Sequence, residues 1–476
     1  MKEKNQAKIV LTFTVFFLTV SCARFHSKPI SPAQTALAFE SRTLEQTKLK
    51  EFLEKNLHRE IAPWPPSSWD FTTLTLAAFY YHPDLDVARA KCEIAEAGII
   101  TAGSIPNPNV DFIPQYATNA ASSVSPWILS LTLDIPVETA GKRGYRIAQA
   151  EHLSRAARLD IATVAWEVRG RLRKSLLGFY AADQTEIILK RELAIQEDLV
   201  KLMERRLAVG EVSQPDVTLA HISVDQVRVS LREVEKQKAE AYVQIANALG
   251  LPMIALNGVE IAFAFLERSP PEIPSADVQR QALLNRADIL SALSEYAASQ
   301  SALQLQIAKQ YPDIHLGPGY EYDQGENKWA IGVSVTLPVF NQNQGPIAEA
   351  EARRKGVEAR FIALQAQVIG EVDGALAGYR AALKKLEVAD SLVCDKEKQV
   401  RSVQAMFNVG EADRLALLSV RLQLVTTMLS RLNALVEAQQ SLGLLEDALQ
   451  RPLDPLESFP IVPEAEPRTK EEGKKG

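Results

Sequence analysis

The chain has 476 residues, 46% hydrophobic and 24% charged, a composition that supports a sizeable folded body and excludes a disordered polymer. Its 53 basic and 59 acidic residues give a net charge of -6, which offers no reason to expect nucleic acid as a partner.

At the N-terminus Lys2, Lys4 and Lys8 precede the apolar run from Ile9 to Val20, which is short for a bilayer span and reads as a secretory signal over 1–21. It ends in Leu18-Thr19-Val20-Ser21-Cys22. A small residue before a cysteine resembles a bacterial lipoprotein signal, and that resemblance implies lipidation of Cys22; an ordinary cleaved signal is the alternative. No later segment reads as a transmembrane helix, so a membrane crossing would need strands closed into a barrel. Residues 22–68 contain an amphipathic run from Leu44 to Leu57 and are expected to form an anchor and an N-terminal wrap.

From residue 69 the chain enters a module that returns 200 positions later. Val209-Gly210-Glu211 returns as Val409-Gly410-Glu411, and Ile147-Ala148-Gln149-Ala150-Glu151 as Ile347-Ala348-Glu349-Ala350-Glu351. The first repeat is placed at 69–252, a linker at 253–274, the second repeat at 275–452 and a charged tail at 453–476.

Each repeat contains a pair of alternating segments ahead of its long helices. In 127–135 the odd positions Leu129, Leu131, Leu133 and Ile135 are apolar while Ser130, Thr132 and Asp134 are polar, and in 329–337 the odd positions are again apolar with Ala330, Gly332, Ser334 and Thr336 small or polar between them. Weaker partners precede them, giving strands at about 109–117, 127–136, 313–322 and 329–338. Trp127, Trp329, Tyr116, Tyr320 and Tyr322 gather at one end of these strands, as membrane-interface aromatics do. Four strands cannot close a barrel, so several chains must share one, eight strands in a dimer or twelve in a trimer.

The stretches after the strands lack proline and read as long helices, the first from about Ile147 to Leu207, ~90 Å at ~1.5 Å per residue. In the returning helix, Val217, Val224, Leu231 and Ile245 mark one seven-residue line that Lys238 interrupts, with Ala220, Val227 and Val234 beside it; Ile222, Val229 and Val243 mark a second. Two seams on one helix imply neighbours on both sides. Cys92 and Cys394 fall in helical stretches and are expected as buried free thiols.

The plan of signal, duplicated helix–strand–strand–helix–helix and Val-Gly turns resembles the TolC-like outer-membrane efflux factors over about Trp69 to Pro452. His82-Pro83-Asp84-Leu85, Thr139-Ala140-Gly141-Lys142-Arg143 and Leu337-Pro338-Val339-Phe340-Asn341-Gln342-Asn343-Gln344-Gly345 resemble the CzcC-like branch that serves heavy-metal and cation efflux. The resemblance implies an α+β membrane protein in which a homotrimer shares a 12-stranded β-barrel continued by a long antiparallel α-helical barrel in the periplasm. It implies a periplasmic adaptor (membrane fusion) protein and an inner-membrane pump of RND type as partners. Val209, Gly210, Glu211, Val409, Gly410 and Glu411 would be the tips that meet the adaptor, or else plain helix-hairpin turns. Asp216 would stand where the family narrows its pore, although it could equally cap the helix after Pro215, and the second repeat has Ala416 there.

No catalytic constellation, cofactor motif or metal-ligand spacing is legible, and the six histidines are scattered. The expected function is a passive export duct in the outer membrane, not an enzyme, with metal cations as cargo on the branch resemblance. The rivals are a duct for type I secretion or drug efflux, a periplasmic adaptor, and a periplasmic enzyme.

Overall fold

The computed structural model describes residues 25–121, 123–268 and 278–453. The signal at 1–21, Cys22, the tail after 453 and part of the 253–274 linker lie outside the described residues. Two units are resolved, 1–43 and 44–476. The described part of the first, 25–43, contains the helix α1, Pro32–Glu40, none of whose residues is buried.

The second unit begins with α2, Thr47–Leu57, whose Leu49, Phe52 and Leu53 enter a core with α3, Phe71–Tyr81. Asp70 starts α3 by accepting from the Thr73 amide at 2.8 Å. His82 ends α3 and starts α4, Pro83–Ala102, in one corner. Then come β1, Asn109–Tyr116, and β2, Trp127–Val137, followed by the 67-residue α5, Lys142–Ala208, and the 36-residue α6, Gln214–Leu249. After a short 3-10 turn, α7, Ala264–Glu267, and α8, Val278–Asn285, the order repeats. It runs through α9, Ala287–Ala308, β3, Ile314–Asp323, β4, Glu326–Val335, the 65-residue α10, Gln344–Asn408, and the 36-residue α11, Arg414–Leu449.

The long helices exist because nothing interrupts them. Gly141, at φ 72, supplies the left-handed turn from which α5 starts, and α5 then runs ~100 Å without a proline. α6 returns along α5, and α11 along α10. Val217, Ala220, Val224, Val227, Leu231 and Val234 are buried at this return, so one of the two heptad lines is an intrachain seam. The other stays open, with Ile222 47%, Val229 71% and Val243 38% exposed.

Equivalent positions of α5 and α10 are buried in both repeats: Val168 and Val368, Leu172 and Val372, Leu176 and Leu376. Two points differ from the sequence reading. Cys394 is exposed rather than buried, because it lies on the broad outer surface of α10, whereas Cys92 is buried and free as expected. Within α11 an 18-residue window reaches a mean hydropathy of 1.3, enough by length and composition for a membrane span. Its apolar residues instead serve the coil against α10 and the contact with α5.

Candidate channel wall and hairpin tips

The four strands form one antiparallel sheet in the order β1-β2-β3-β4. The register sorts their side chains. Asp111 faces Thr132, Ser130 faces Glu321 and His315 faces Ser334, all on one side. Phe112 faces Leu131, Leu316 faces Val333 and Tyr320 faces Trp329 on the other. Polar contacts hold the first face: Ser130 Oγ donates to Glu321 Oε2 at 3.1 Å, and His315 Nδ1 lies 3.0 Å from Asp134 Oδ1. The second face is apolar, with Trp329 82% and Ile331 84% exposed.

No residue of any strand is buried. β1 and β4 each pair on one side alone, leaving two open edges. A soluble sheet with such an oily face requires a covering layer, and an open edge requires protection. Aromatic pairs close the turn end: Tyr116 on Trp127 with ring centroids 5.1 Å apart and Tyr320 on Trp329 at 4.9 Å. The predicted strand 329–338 is displaced. β4 starts at Glu326 because Gln324 and Gly325, both at positive φ, make a two-residue hairpin turn directly after Asp323.

At the far end of the long helices lie the two Val-Gly turns. Val209 caps α5 and is 71% exposed; Val409 caps α10 and is 72% exposed. Gly210 and Gly410 take φ 77 and 80, a region a side chain would strain. The Glu211 amide returns to the Arg206 carbonyl and the Glu411 amide to Met406, each at 2.9 Å. Asp216 forms a capping box with Ser213, taking the Ser213 amide at 2.9 Å and its hydroxyl at 2.6 Å; these bonds hold its carboxyl below the usual range. Asp413 starts α11 by accepting from the Ala416 amide at 2.7 Å. Sequence reading overlooked the partner of Asp413. Arg206 of the other tip donates to it at 2.9 Å, a contact between positions too far apart for any local pattern to announce.

Two charged clusters between helices were also missed. Lys238 breaks the heptad line because it serves another purpose: its Nζ lies 2.7 Å from Asp183 and 2.8 Å from Glu186. Nearer the middle, Arg169 and Arg173 of α5 converge on Glu446 of α11, at 3.0 and 3.8 Å, and all three are buried. Phe71 and Trp166 lie 5.0 Å from the Arg169 guanidinium and take part of its charge on their faces.

Long helices hung in pairs from an uncovered two-faced sheet define a chain built to line a membrane channel. The profile of the family described as Outer membrane efflux protein matches residues 78–251 and again 278–449. The chain belongs to that family. It is 24% identical over 285 residues to the cobalt-zinc-cadmium resistance protein CzcC of Cupriavidus metallidurans, covering 59% of this chain and 65% of that one. The pyoverdine export outer membrane protein OpmQ of Pseudomonas aeruginosa is 23% identical over 367 residues, 72% of this chain and 75% of OpmQ. Among solved structures the outer membrane protein VceC of Vibrio cholerae superposes with a TM-score of 0.65 at 19% identity, covering 80% of this chain and 96% of VceC. CusC does so with a TM-score of 0.65 at 17% identity, covering 90% and 99%.

Proposed function

We propose that this protein is the outer-membrane exit duct of a tripartite efflux system and that its cargo is divalent metal cations. The observation that carries the duct is the sheet: four strands, both faces uncovered, both edges unpaired. Three copies close a twelve-stranded barrel in which β4 of one chain pairs with β1 of the next. The open heptad line on α6 supports the same assembly. Ile222 and Val229 need a partner, and Ile369, Val388 and Leu392 of α10, all exposed, offer one from a neighbouring copy. The matching lengths and burial of the two halves support an internal duplication.

The exposed Val209 and Val409 turns are the contact with a periplasmic adaptor, through which the duct meets an inner-membrane pump of RND type. Asp216 and Glu211 add negative charge at that mouth and favour cations there. Cys22 carries a lipid anchor. The metal cargo rests on the likeness to CzcC.

Reconstitution tests the duct. Purified protein should run as a trimer and conduct ions across a planar bilayer. A stable, non-conducting single subunit overturns the reading. Deletion of the gene should lower tolerance to cobalt, zinc and cadmium; unchanged metal tolerance with lost drug tolerance would move the cargo to the drug-efflux reading.

A further inference from the structure

On α5 the residues packed in the core with α2 and α3 include Val168, Leu172 and Leu176. Two positions after each come Gly170, Lys174 and Gly178, about 200° round the helix and so on its opposite side. On α11 Ala438 and Leu445 enter the other cores, and Gln440 and Asp447 follow them by the same two positions. These averted faces enclose a recess of about 810 Å³ between α5 and α11. The long helices lie side by side in the order α6, α5, α11, α10, so a recess between the middle two falls within one chain, away from neighbouring copies. The helices α2 and α3 and the segment 253–268 form an extra layer on the other side. That layer belongs outside the tunnel, because inside it would fill the duct. The recess therefore opens on the lumen.

Glycines keep it open. A Cβ at Gly178 would meet no neighbouring atom within 4 Å, whereas one at Gly170 would stand 2.8 Å from an Asp447 carboxylate oxygen and one at Gly443 3.0 Å from Arg173 Nε. Leu177, Val436 and Leu444 give the recess an apolar wall. Most of its charges are already matched: Arg171 by Asp84 at 2.6 Å, Arg173 by Glu446 at 3.8 Å, and Arg286 by Asp288 and Glu371 at 2.6 and 3.1 Å. Asp447 and Glu167 are not, since neither carboxylate meets a donor among the described residues. Protein surrounds Asp447 on most sides while the recess leaves it open to water. Burial raises its pKa to about 6 against the pull of Arg169; Glu446 adds to the rise and Arg173 opposes it. A desolvated carboxylate without a donor is relieved by an incoming cation. In the second repeat the glycines recur as Gly370 and Gly378, but Gln367 stands for Glu167 and Asn247 for Asp447, so the unmatched charge is particular to this recess.

We propose that the recess is a binding site on the tunnel wall for an amphipathic organic cation. The apolar body of the ligand lies on Leu177, Val436 and Leu444, and its charge meets Asp447 and Glu167. The volume is that of a pocket for a small organic molecule. A bare divalent ion takes about four to six donor atoms, and among the described residues no group of three or more His, Cys, Asp or Glu could hold one. The ligand is therefore of a different class from the metal cargo. The inference rests on the duct reading for the side of the wall on which the recess opens, not for the chemistry of the ligand.

Ethidium tests it, added to the full chain in phosphatidylcholine nanodiscs and followed by fluorescence anisotropy. Binding should saturate at one ethidium per subunit. Asp447→Asn should weaken it about tenfold, the loss of one charge-assisted contact, and Lys174→Gln, which removes the lining cation that has no carboxylate, should tighten it. Gly178→Leu fills the recess where space is free, so it should abolish binding and leave the melting temperature unchanged. Undiminished binding in Gly178→Leu places ethidium elsewhere and overturns the site. Equal affinity for the anion anilinonaphthalene sulfonate, or displacement of ethidium by equimolar cobalt, overturns the ligand class. In a planar bilayer ethidium should reduce the current of the unmodified trimer and not that of Gly178→Leu. Bound ethidium that leaves the current untouched puts the recess outside the tunnel and overturns its place on the wall. No current at all in the unmodified protein would sink the duct reading, a separate outcome, and the anisotropy would still decide the site.

Discussion

Arg206 Nη2 lies 2.9 Å from Asp413 Oδ2 and so ties the tip of the first helical hairpin to the start of the returning helix in the second. Both groups are partly exposed, at 27% and 52%, so the pair adds at most about 1 kcal/mol to stability. Its importance is positional. Asp413→Asn keeps a helix-capping side chain but removes the charge. It should leave the melting temperature nearly unchanged and broaden the distance distribution between spin labels at Val209 and Val409. An unaltered distribution would show that the tips are held by other means. The Ala416 amide and then Arg206 hold the Asp413 carboxyl below its ordinary 3.8. The contact is therefore complete above that value and lost only as pH falls through the lower folded one. The distribution should not change between about pH 5 and 8.

A different balance governs Arg169 and Glu446, 3.0 Å apart and each 1% exposed. Here desolvation has already been incurred, and removing one partner leaves the other charge buried without compensation. Glu446→Gln should lower stability by about 3–5 kcal/mol, read from urea unfolding in detergent. Arg169→Met and Arg173→Met with Glu446→Met, which leave neither guanidinium facing a missing carboxylate, should recover most of that loss. A triple variant as damaged as the single one would show that the charge cluster is not the source.

Periodicity made the strands and the long helices legible, because alternation in 127–135 and seven-residue spacing after Pro215 each report one repeating contact. The β4 boundary was missed for a local reason: Asp323-Gln324-Gly325-Glu326 carries the turn, and the odd-numbered apolar line continues past the strand's end to Val339. The Arg169–Glu446 pair had no legible signal, since two charged residues 277 positions apart look like ordinary solvated helix faces. Lys238 was visible as a break in a heptad line, but its partners Asp183 and Glu186 sit on another helix.

Those partners make the first repeat differ from the second. Asp183, Glu186 and Lys238 correspond to Leu383, Leu386 and Ala438, of which Leu386 and Ala438 are 3% and 0% exposed. Lys238→Ala alone should destabilise the first hairpin by taking the shared cation from Asp183 and Glu186, of which Glu186 keeps Lys190. Adding Asp183→Leu and Glu186→Leu installs the apolar solution of the second repeat and should restore the melting temperature. If the triple variant melts no higher than Lys238→Ala, the two hairpins do not share interchangeable packing at this level. Hydrogen bonds from Lys190 and then Lys238 lower Glu186 to about 2. Its contribution is thus complete above the ordinary 4.5 and fades as pH falls toward 2, a loss the triple variant should not show.

His82 gives the chain a dependence nearer neutrality. Its Nδ1 accepts the Asp84 amide at 3.2 Å and so caps α4, which only an unprotonated nitrogen can do. Burial first, and then the positive charge of Arg171, lower its pKa from 6.5. A group with a depressed folded pKa contributes stability that is present above 6.5 and lost as pH falls through the folded value. The unmodified protein should therefore melt at lower temperature as the medium is acidified below about pH 6, and His82→Asn should flatten that slope, because Asn caps without titrating. His82→Ala should cost about 1 kcal/mol at neutral pH. The corner leaves little room for adjustment: Gly250, at φ 70, approaches so closely that a Cβ there would stand 2.9 Å from the Tyr81 carbonyl oxygen. An acid slope that His82→Asn leaves unchanged would assign the dependence to other groups.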